Sequence, residues 1–163
     1  MLCYTAFMKL WEVITIVICI LAGSLAPSVV SSAPKYEVEY NPCDGTSYSD
    51  TLFCSVNKYR ADNNLKTLKY SSEATRIAKN RAVHLCQTNT FTHEGWETFL
   101  NTDYIQAGEN LAKEFDNQED VLNGWINSPA HNENLLNSWG SMGIYTEPCD
   151  GRNVTAQIFL TLE

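Results

Sequence analysis

The segment Gly108-Glu109-Asn110-Leu111-Ala112 constrains this chain more than any other, because it places a carboxylate between small and apolar residues. A carboxylate in such a setting needs an ion-pair or hydrogen-bond partner, or its pKa must shift. The glycine permits a tight turn or a close approach of the backbone, and the asparagine can bond to neighbouring backbone groups. Glu109 should therefore belong either to a structural hydrogen-bond network or to a functional site.

The N-terminus has the pattern of a cleaved secretory signal peptide over residues 1–33. Lys9 lies ahead of an apolar run from Val13 to Leu25, and the small residues Ser31-Ser32-Ala33 follow. The run is shorter than the roughly 20 residues that a membrane-spanning helix needs, which favours cleavage over a retained anchor. No later segment is apolar for long enough to span a membrane, so we expect a soluble, secreted, extracellular product.

Residues 34–163 are long enough for a single domain, which begins with a short irregular lead-in containing Pro34, Pro42 and Gly45. Removing the signal takes away one base and one acid, Lys9 and Glu12, so the net charge stays at -8. Binding of nucleic acid or of anionic membrane surfaces depends on clustered Lys and Arg. The charge therefore argues against both classes of partner.

Four cysteines remain after the signal is removed: Cys43, Cys54, Cys86 and Cys149. An even number in an oxidising compartment predicts two disulfides. Their spacing does not choose among the connectivities; we favour Cys54 with Cys86, and Cys43 with Cys149. Structural zinc is the rival interpretation, but the C-x-x-C pairs that typically hold it do not occur here.

Apolar residues at helical spacing predict four helices in the mature chain. The first is capped by Ser49-Asp50 and ends near Asn63-Asn64, and the second opens at Ser71-Ser72-Glu73. The third starts over residues 116–119, and Ser128-Pro129 starts a short fourth helix.

Two polar residues of the first helix, Asn57 and Arg60, lie close to its apolar stripe. We expect them to make interhelical hydrogen bonds rather than to take part in chemistry. His84 lies next to Leu85 and Cys86 in the second helix, and we interpret it as a structural or exposed histidine.

Residues 91–107 are irregular and rich in aromatic residues, as in a long loop over a cleft. Such loops are uncommon in compact domains unless they are functional, which draws attention to His93. A zinc-protease motif H-E-x-x-H fails here, because Glu97 stands at its last position. His131 falls in the first turn of the fourth helix, where the helix dipole favours a neutral ring that can accept a hydrogen bond or a metal. The alternative is a polar first-turn residue facing water.

The C-terminus predicts a hairpin, with strands at Met142 to Tyr145 and Val154 to Leu162 and a turn over Glu147 to Arg152. Residues alternate along the second strand, so one of its faces should meet the core. Asn153 begins an N-glycosylation sequon at the turn, although a strand that turns inward there would block the transferase.

Several separated segments, taken in order, resemble the landmarks of the CAP superfamily of cysteine-rich secretory proteins, antigen 5 and plant pathogenesis-related proteins. They are Val56-Asn57-Lys58-Tyr59-Arg60, Leu68, Tyr70, His93, Gly108 to Ala112, Trp125 and Gln157-Ile158-Phe159. The resemblance covers essentially the whole mature chain. Within the superfamily, the chain is similar to the short single-domain secreted type. The residues to which we assign structural roles are Asn57, Arg60, Asn110 and Gln157.

The resemblance implies an α+β fold, an α-β-α sandwich with a small antiparallel sheet between helices (the CAP or SCP domain). It also implies a cleft in which two His and two Glu can bind a divalent metal. His93 and Glu109 match the first of each, whereas Ser128 and Val154 stand at the positions of the second Glu and the second His. We expect His131 to complete a reduced His-Glu cleft of His93, Glu109 and His131, a set that can take zinc or another transition metal.

Two classes of function follow. The one we favour is a secreted, non-enzymatic binding protein that requires no cofactor and carries a small apolar ligand such as a sterol or fatty acid, or engages a host or partner protein. The alternative is a metal-dependent hydrolase, such as a protease, with His93 or His131 as base and Glu109 orienting it or holding a metal-bound water. The lack of a G-x-S-x-G elbow and of an intact H-E-x-x-H motif counts against the hydrolase.

Overall fold

The fold has three layers, because helices pack on both faces of a four-stranded sheet. The structure is a computed structural model that describes residues 40–100 and 104–162. The predicted signal peptide, residues 1–33, and the start of the lead-in lie outside the described residues. Within those residues the expected α-β-α sandwich is confirmed.

Helices and strands alternate along much of the described chain. The helices are α1 (Tyr48–Asp62), α2 (Ser72–Thr88), α3 (Gln118–Asn127) and α4 (Pro129–Leu136). The strands are β1 (Lys69–Tyr70), β2 (Tyr104–Lys113), β3 (Ser141–Cys149) and β4 (Arg152–Leu162). Short 3-10 turns at Pro42–Asp44 and Trp96–Phe99 precede α1 and β2. None of these described helices has the length and apolar character that crossing a bilayer requires.

Side-chain caps explain where the predicted helices begin. The Ser47 hydroxyl accepts a hydrogen bond from the Asp50 amide at 3.1 Å, so α1 starts slightly before the predicted cap. Ser71 caps α2 in the same way, and Asn117 caps α3. Pro129 occupies the first position of α4, where its fixed φ suits the helix.

The sheet has the strand order β1-β3-β4-β2. β4 is antiparallel to both of its neighbours, whereas β1 runs parallel to β3, so the sheet is mixed rather than wholly antiparallel. β2 starts at Tyr104, inside the segment predicted as a loop over residues 91–107. It was not predicted as a strand because its stability comes from pairing with β4, which is remote in sequence.

The prediction that only one face of β4 meets the core is wrong. All residues from Val154 to Leu160 are buried, because β4 is a central strand with helices on both sides. The polar residues on its second face find partners there: Thr155 bonds to Thr146 at 2.9 Å, and Gln157 bonds to Asn110 at 3.2 Å.

The two faces of the sheet have separate apolar cores. Helices α1, α3 and α4 cover one face, around Leu52, Phe53, Val56, Trp125, Leu135 and Phe159. Helix α2 covers the other face, around Ala74, Ile77, Ala78, Leu85, Leu111 and Ile158. The small alanines of α2 let its backbone lie close to the sheet.

Two disulfides are present, as predicted, but the favoured pairing is wrong. Cys43 pairs with Cys54, and Cys86 pairs with Cys149, with Cα–Cα distances of 5.5 and 5.7 Å. The first joins the lead-in to α1, and the second joins the end of α2 to the end of β3. Packing of α2 against β3 brings Cys86 and Cys149 together, and cysteine spacing carries no information about that contact.

Candidate functional site

Glu109 lies in the middle of β2, the edge strand of the sheet, opposite Ile158 of β4. Alternation along β2 turns Glu109 and Leu111 toward α2, while Asn110 points to the other face and α4. The preceding Gly108 is not in a turn but does allow a close approach, since a Cβ there would lie 2.9 Å from the Trp139 ring. The side chain of Glu109 therefore lies between the sheet and α2.

The partner of Glu109 is Arg81 of α2. Arg81 Nε donates to Glu109 Oε2 at 2.7 Å, and Nη2 lies 3.4 Å from Oε1. The two side chains are 2 % and 1 % exposed, so this is a buried ion pair. Burial raises the pKa of Glu109, whereas Arg81 and then His93 act to lower it. Burial is the larger influence, so the pKa of Glu109 lies above its ordinary value even though the adjacent guanidinium of Arg81 favours the ionised carboxylate.

His93 joins this pair from the segment after α2. Its Nδ1 lies 2.9 Å from Glu109 Oε1, and its side chain is 53 % exposed. Arg81 also donates to the backbone carbonyl of Thr92, which fixes the chain next to His93. One guanidinium thus positions both the carboxylate and the loop that carries the imidazole.

His131 lies near His93. Within the described residues, its side chain makes no hydrogen bond to Arg81 or Glu109. The two imidazole rings have centroids 5.9 Å apart at an angle of 48°. Burial lowers the pKa of His131, and the neighbouring His93 lowers it further. The expected neutral ring is therefore favoured, with burial rather than the helix dipole as the main cause. His84, by contrast, is exposed on α2 and packs near Phe99.

The three residues of the His-Glu cleft do not fit a divalent metal in this arrangement. No group of three or more His, Cys, Asp or Glu among the described residues is placed to hold a metal ion. Both oxygens of Glu109 already have partners, and a cation beside them would meet the positive charge of Arg81. The expected zinc site of His93, Glu109 and His131 would require the guanidinium to move away.

A second network fixes β2 to α4 and β4. Asn110 donates to the His131 carbonyl and to Gln157 Oε1, each at 3.2 Å. Asn134 donates to the Glu109 carbonyl at 3.1 Å and to Asn110 Oδ1 at 3.0 Å. Because Asn110 and Gln157 are fully buried, these bonds satisfy polar groups that would otherwise cost free energy.

The two polar residues of α1 also tie elements together. Asn57 exchanges hydrogen bonds with the backbone of Leu68, at 3.0 and 2.8 Å. Arg60 donates to the carbonyls of Leu135 and Asn137 at the end of α4, at 2.6 and 2.9 Å. Arg60 thus makes an interhelical contact of the expected kind, while Asn57 holds the connection into β1.

Arg81 and Asn134 are site residues that the sequence interpretation missed. Arg81 had a detectable signal, because it falls within the apolar stripe Ala74, Ile77, Ala78, Ala82 and Leu85 of α2. An arginine within an apolar stripe needs a buried acidic partner, and Glu109 was already expected to be a buried carboxylate, although His93 was the partner assigned to it. Asn134 had no such signal, since its bonds depend on how α4 packs against β2.

The sequon residue Asn153 is half-buried at the start of β4. Its side-chain amide nitrogen, the atom that would carry a glycan, donates to the Phe115 carbonyl at 3.3 Å. Glycosylation of Asn153 stays a prediction and requires this bond to open.

A cavity of about 300 Å³ lies at the opposite edge of the sheet, where β1 and β3 meet the start of α1. Its aromatic lining residues are Tyr40, Tyr48, Phe53, Tyr70 and Tyr145. We call it the aromatic cavity. Its volume is at the lower end of the range of small-molecule sites, about 300 to 1,000 Å³.

Comparison with known proteins gives consistent matches. The model of the cysteine-rich secretory protein (CAP) family matches residues 55–162. The uncharacterised protein YkwD of Bacillus subtilis (strain 168) is 27 % identical over 105 residues, which cover 59 % of this chain and 40 % of the relative. An uncharacterised protein of Borreliella burgdorferi is 27 % identical over 97 residues, 53 % of this chain and 60 % of the relative. The chain thus spans about half the length of these curated relatives.

Solved structures share the fold. An outer surface protein from Borrelia burgdorferi superposes with a TM-score of 0.65 at 24 % identity, covering 69 % of this chain and 91 % of that one. A cysteine-rich secretory protein from Staphylococcus aureus has a TM-score of 0.59 at 27 % identity, covering 76 % and 40 %. An extracellular protein with an SCP domain from Bacillus anthracis has a TM-score of 0.61 at 24 % identity, covering 69 % and 40 %.

Proposed function

Because this chain belongs to the CAP family of cysteine-rich secretory proteins, we propose that it is a secreted binding protein that carries a small apolar ligand and performs no hydrolysis. The observation that carries the proposal is the buried ion pair of Arg81 and Glu109. In this pair the carboxylate of Glu109 has a structural role. The His-Glu cleft therefore lacks a free carboxylate to hold the metal that hydrolysis by a metal-bound water requires.

The competing hydrolase has little support from the geometry. Glu109 would have to act as a metal ligand or base, yet its side chain is 1 % exposed and bonded to a cation. His93 is held by Glu109 as a catalytic base would be, but a base alone needs a nucleophile. All four cysteines in the described part of the chain are in disulfides, so none of them supplies a thiolate.

Secretion is supported by the chemistry of the chain and by its relatives. Disulfides persist in oxidising compartments, and the described residues contain two. Two proteins that share the fold are an outer surface protein of Borrelia burgdorferi and an extracellular protein of Bacillus anthracis. The pattern of residues 1–33 provides the export signal that such a location needs.

The aromatic cavity supports a small apolar ligand rather than a broad partner surface. It is concave, and its lining is mostly aromatic and aliphatic. A sterol or another apolar molecule would bury its surface against these rings. We therefore place ligand binding at the β1 edge of the sheet, away from the His-Glu cleft at the β2 edge.

The proposal is tested with the secreted protein, assayed for sterol and fatty-acid binding and for peptide hydrolysis, with and without zinc. We expect binding of an uncharged apolar ligand such as the sterol, without hydrolysis, and we expect the His93→Ala variant to bind it as the native protein does. His84→Ala, an exposed histidine of α2, is the matched control. Zinc-dependent cleavage that disappears in His93→Ala but persists in His84→Ala would establish the hydrolase instead.

A further inference from the structure

Three of the five aromatic rings that line the cavity pack against one another. Tyr40 and Tyr70 meet edge to face with centroids 4.7 Å apart, and Phe53 meets Tyr70 in the same manner at 6.2 Å. The faces of such rings carry negative electrostatic potential and attract cations, while their bodies bury apolar groups. A cavity walled by them suits a group that is both apolar and positively charged.

The charge of the lining points to the same kind of ligand. Asp50 is the acidic side chain among the lining residues, and no Lys, Arg or His lines the cavity in the described residues. Its Oδ1 accepts a hydrogen bond from the Tyr40 hydroxyl at 2.5 Å, and Gly45 packs directly against Oδ2. The carboxylate is therefore held in place beside the rings, where it can act as a counter-charge.

The chain already uses one ring of this lining to hold a cation. The ammonium group of Lys79, which is not itself a lining residue, lies 5.6 Å from the centroid of the Tyr145 ring. This contact is an internal example of the recognition that the remaining rings offer to a ligand.

We propose that the aromatic cavity binds an alkylated ammonium group, such as a trimethylammonium, with Asp50 as its counter-charge and Tyr40 and Tyr70 as its ring partners. This inference rests on the proposed binding function and names its ligand class. A fatty-acid carboxylate would meet the like charge of Asp50, and an uncharged sterol would gain from burial alone. A cation with methyl groups gains from burial, from the rings and from the carboxylate.

Choline and 3,3-dimethyl-1-butanol are the probes, because they have the same shape and differ in charge. Isothermal titration should show that choline binds the secreted protein about tenfold more tightly than the neutral alcohol. Asp50→Asn should remove about tenfold from choline affinity and leave the alcohol unaffected. Asp62→Asn, an exposed carboxylate at the far end of α1, is the matched control and should change neither affinity.

Tyr70→Leu gives a second, independent variant if Asp50→Asn disturbs α1. It keeps an apolar wall and removes a ring, so it should weaken choline more than the alcohol. Phosphatidylcholine vesicles identify the source of the group: binding that choline competes away indicates a lipid headgroup, and choline binding without vesicle binding indicates a free amine. Either result supports the inference.

Equal affinity for choline and its neutral isostere would overturn the inference and leave the proposed binding of apolar ligands intact. Choline affinity that is unchanged in both Asp50→Asn and Tyr70→Leu would overturn it as well. Failure of the proposed function is recognised separately, by the sterol and hydrolysis assays.

Discussion

Arg81 is the residue that decides what the His-Glu cleft can do. It neutralises Glu109, anchors the carbonyl before His93 and occupies the place where a cation would otherwise enter. A buried ion pair adds little net stability compared with apolar residues, but removing one partner leaves an uncompensated charge. The pair is therefore best tested by comparing single and double substitutions.

Arg81→Met should lower the free energy of unfolding by about 3 kcal/mol or more, because it strands the Glu109 carboxylate in the core. The double variant Arg81→Met/Glu109→Leu should recover most of that loss. Urea denaturation measures both. Arg76→Met, which breaks an exposed pair with Glu73, is the control and should cost at most about 0.5 kcal/mol. Equal losses for the two arginines would mean that the pair is not buried in solution.

His131 predicts a pH dependence of stability. Its folded-state pKa lies below the ordinary value of 6.5, so the unfolded chain binds a proton more readily than the folded one. The contribution of the neutral ring is therefore present above about pH 6.5 and is lost as the pH falls through the folded pKa. Urea midpoints from pH 7.5 to 5 should fall less steeply for His131→Asn than for the native protein, while His84→Asn should follow the native curve.

At the level of elements, α2 approaches β3 closely at Gly143. A Cβ there would clash with the backbone of Ala74 and Thr75, at the start of α2. At Gly108 the Cβ would meet the edge of the Trp139 ring at 2.9 Å, and a side chain can give way more readily than backbone. The two glycines are therefore not equivalent, although both lie in strands.

Gly143→Ala should be more destabilising than Gly108→Ala. We expect Gly108→Ala to cost about 1 to 3 kcal/mol through overpacking, and Gly143→Ala to cost more because backbone must move. Thermal denaturation of the two variants checks the order. A reversed order would show that α2 can shift along β3 without loss.

Elements with a strong local signal were predictable, and elements held by remote partners were not. The helices carry apolar stripes and caps such as Ser71 and Asn117, which are local features. β2 and the second face of β4 depend on pairs such as Asn110 with Gln157, 47 residues apart. A polar residue in a strand is interpreted as solvent-facing until the partner that satisfies it is known.

On the scale of the whole molecule, the disulfides close chain segments of very different lengths. Cys43 and Cys54 are 11 residues apart, whereas Cys86 and Cys149 are 63 apart. The entropy that a cross-link removes from the unfolded chain grows with that separation. The first disulfide also holds the 3-10 turn beside Tyr40 against α1.

Removing Cys86–Cys149 by substitution with Ala should cost about 4 kcal/mol, and removing Cys43–Cys54 about 3 kcal/mol. Chemical denaturation of the two double variants measures the difference. The Cys43–Cys54 variant should also lose choline affinity, because Tyr40 is no longer held over the cavity. Retention of full affinity would mean that the lead-in docks without its cross-link.

The candidate site was predictable in part. The sequence indicated His93, Glu109 and His131, and the fold brings the two histidines close together and His93 onto Glu109. It did not indicate the aromatic cavity, whose lining comes from residues 40–53, 70–75 and 144–146. Only the packing of the lead-in and α1 beside β1 and β3 assembles those rings.

The two candidate sites lie toward opposite edges of one sheet: β1 and β3 line the aromatic cavity, β2 carries Glu109, and β4 lies between them. Substitutions at sites that share no contacts usually have additive effects. A protein engineer could therefore treat the edges as separate modules. Replacing Arg81 to open a metal site at one edge would leave the aromatic cavity at the other edge unchanged. That cavity would remain available for binding a ligand.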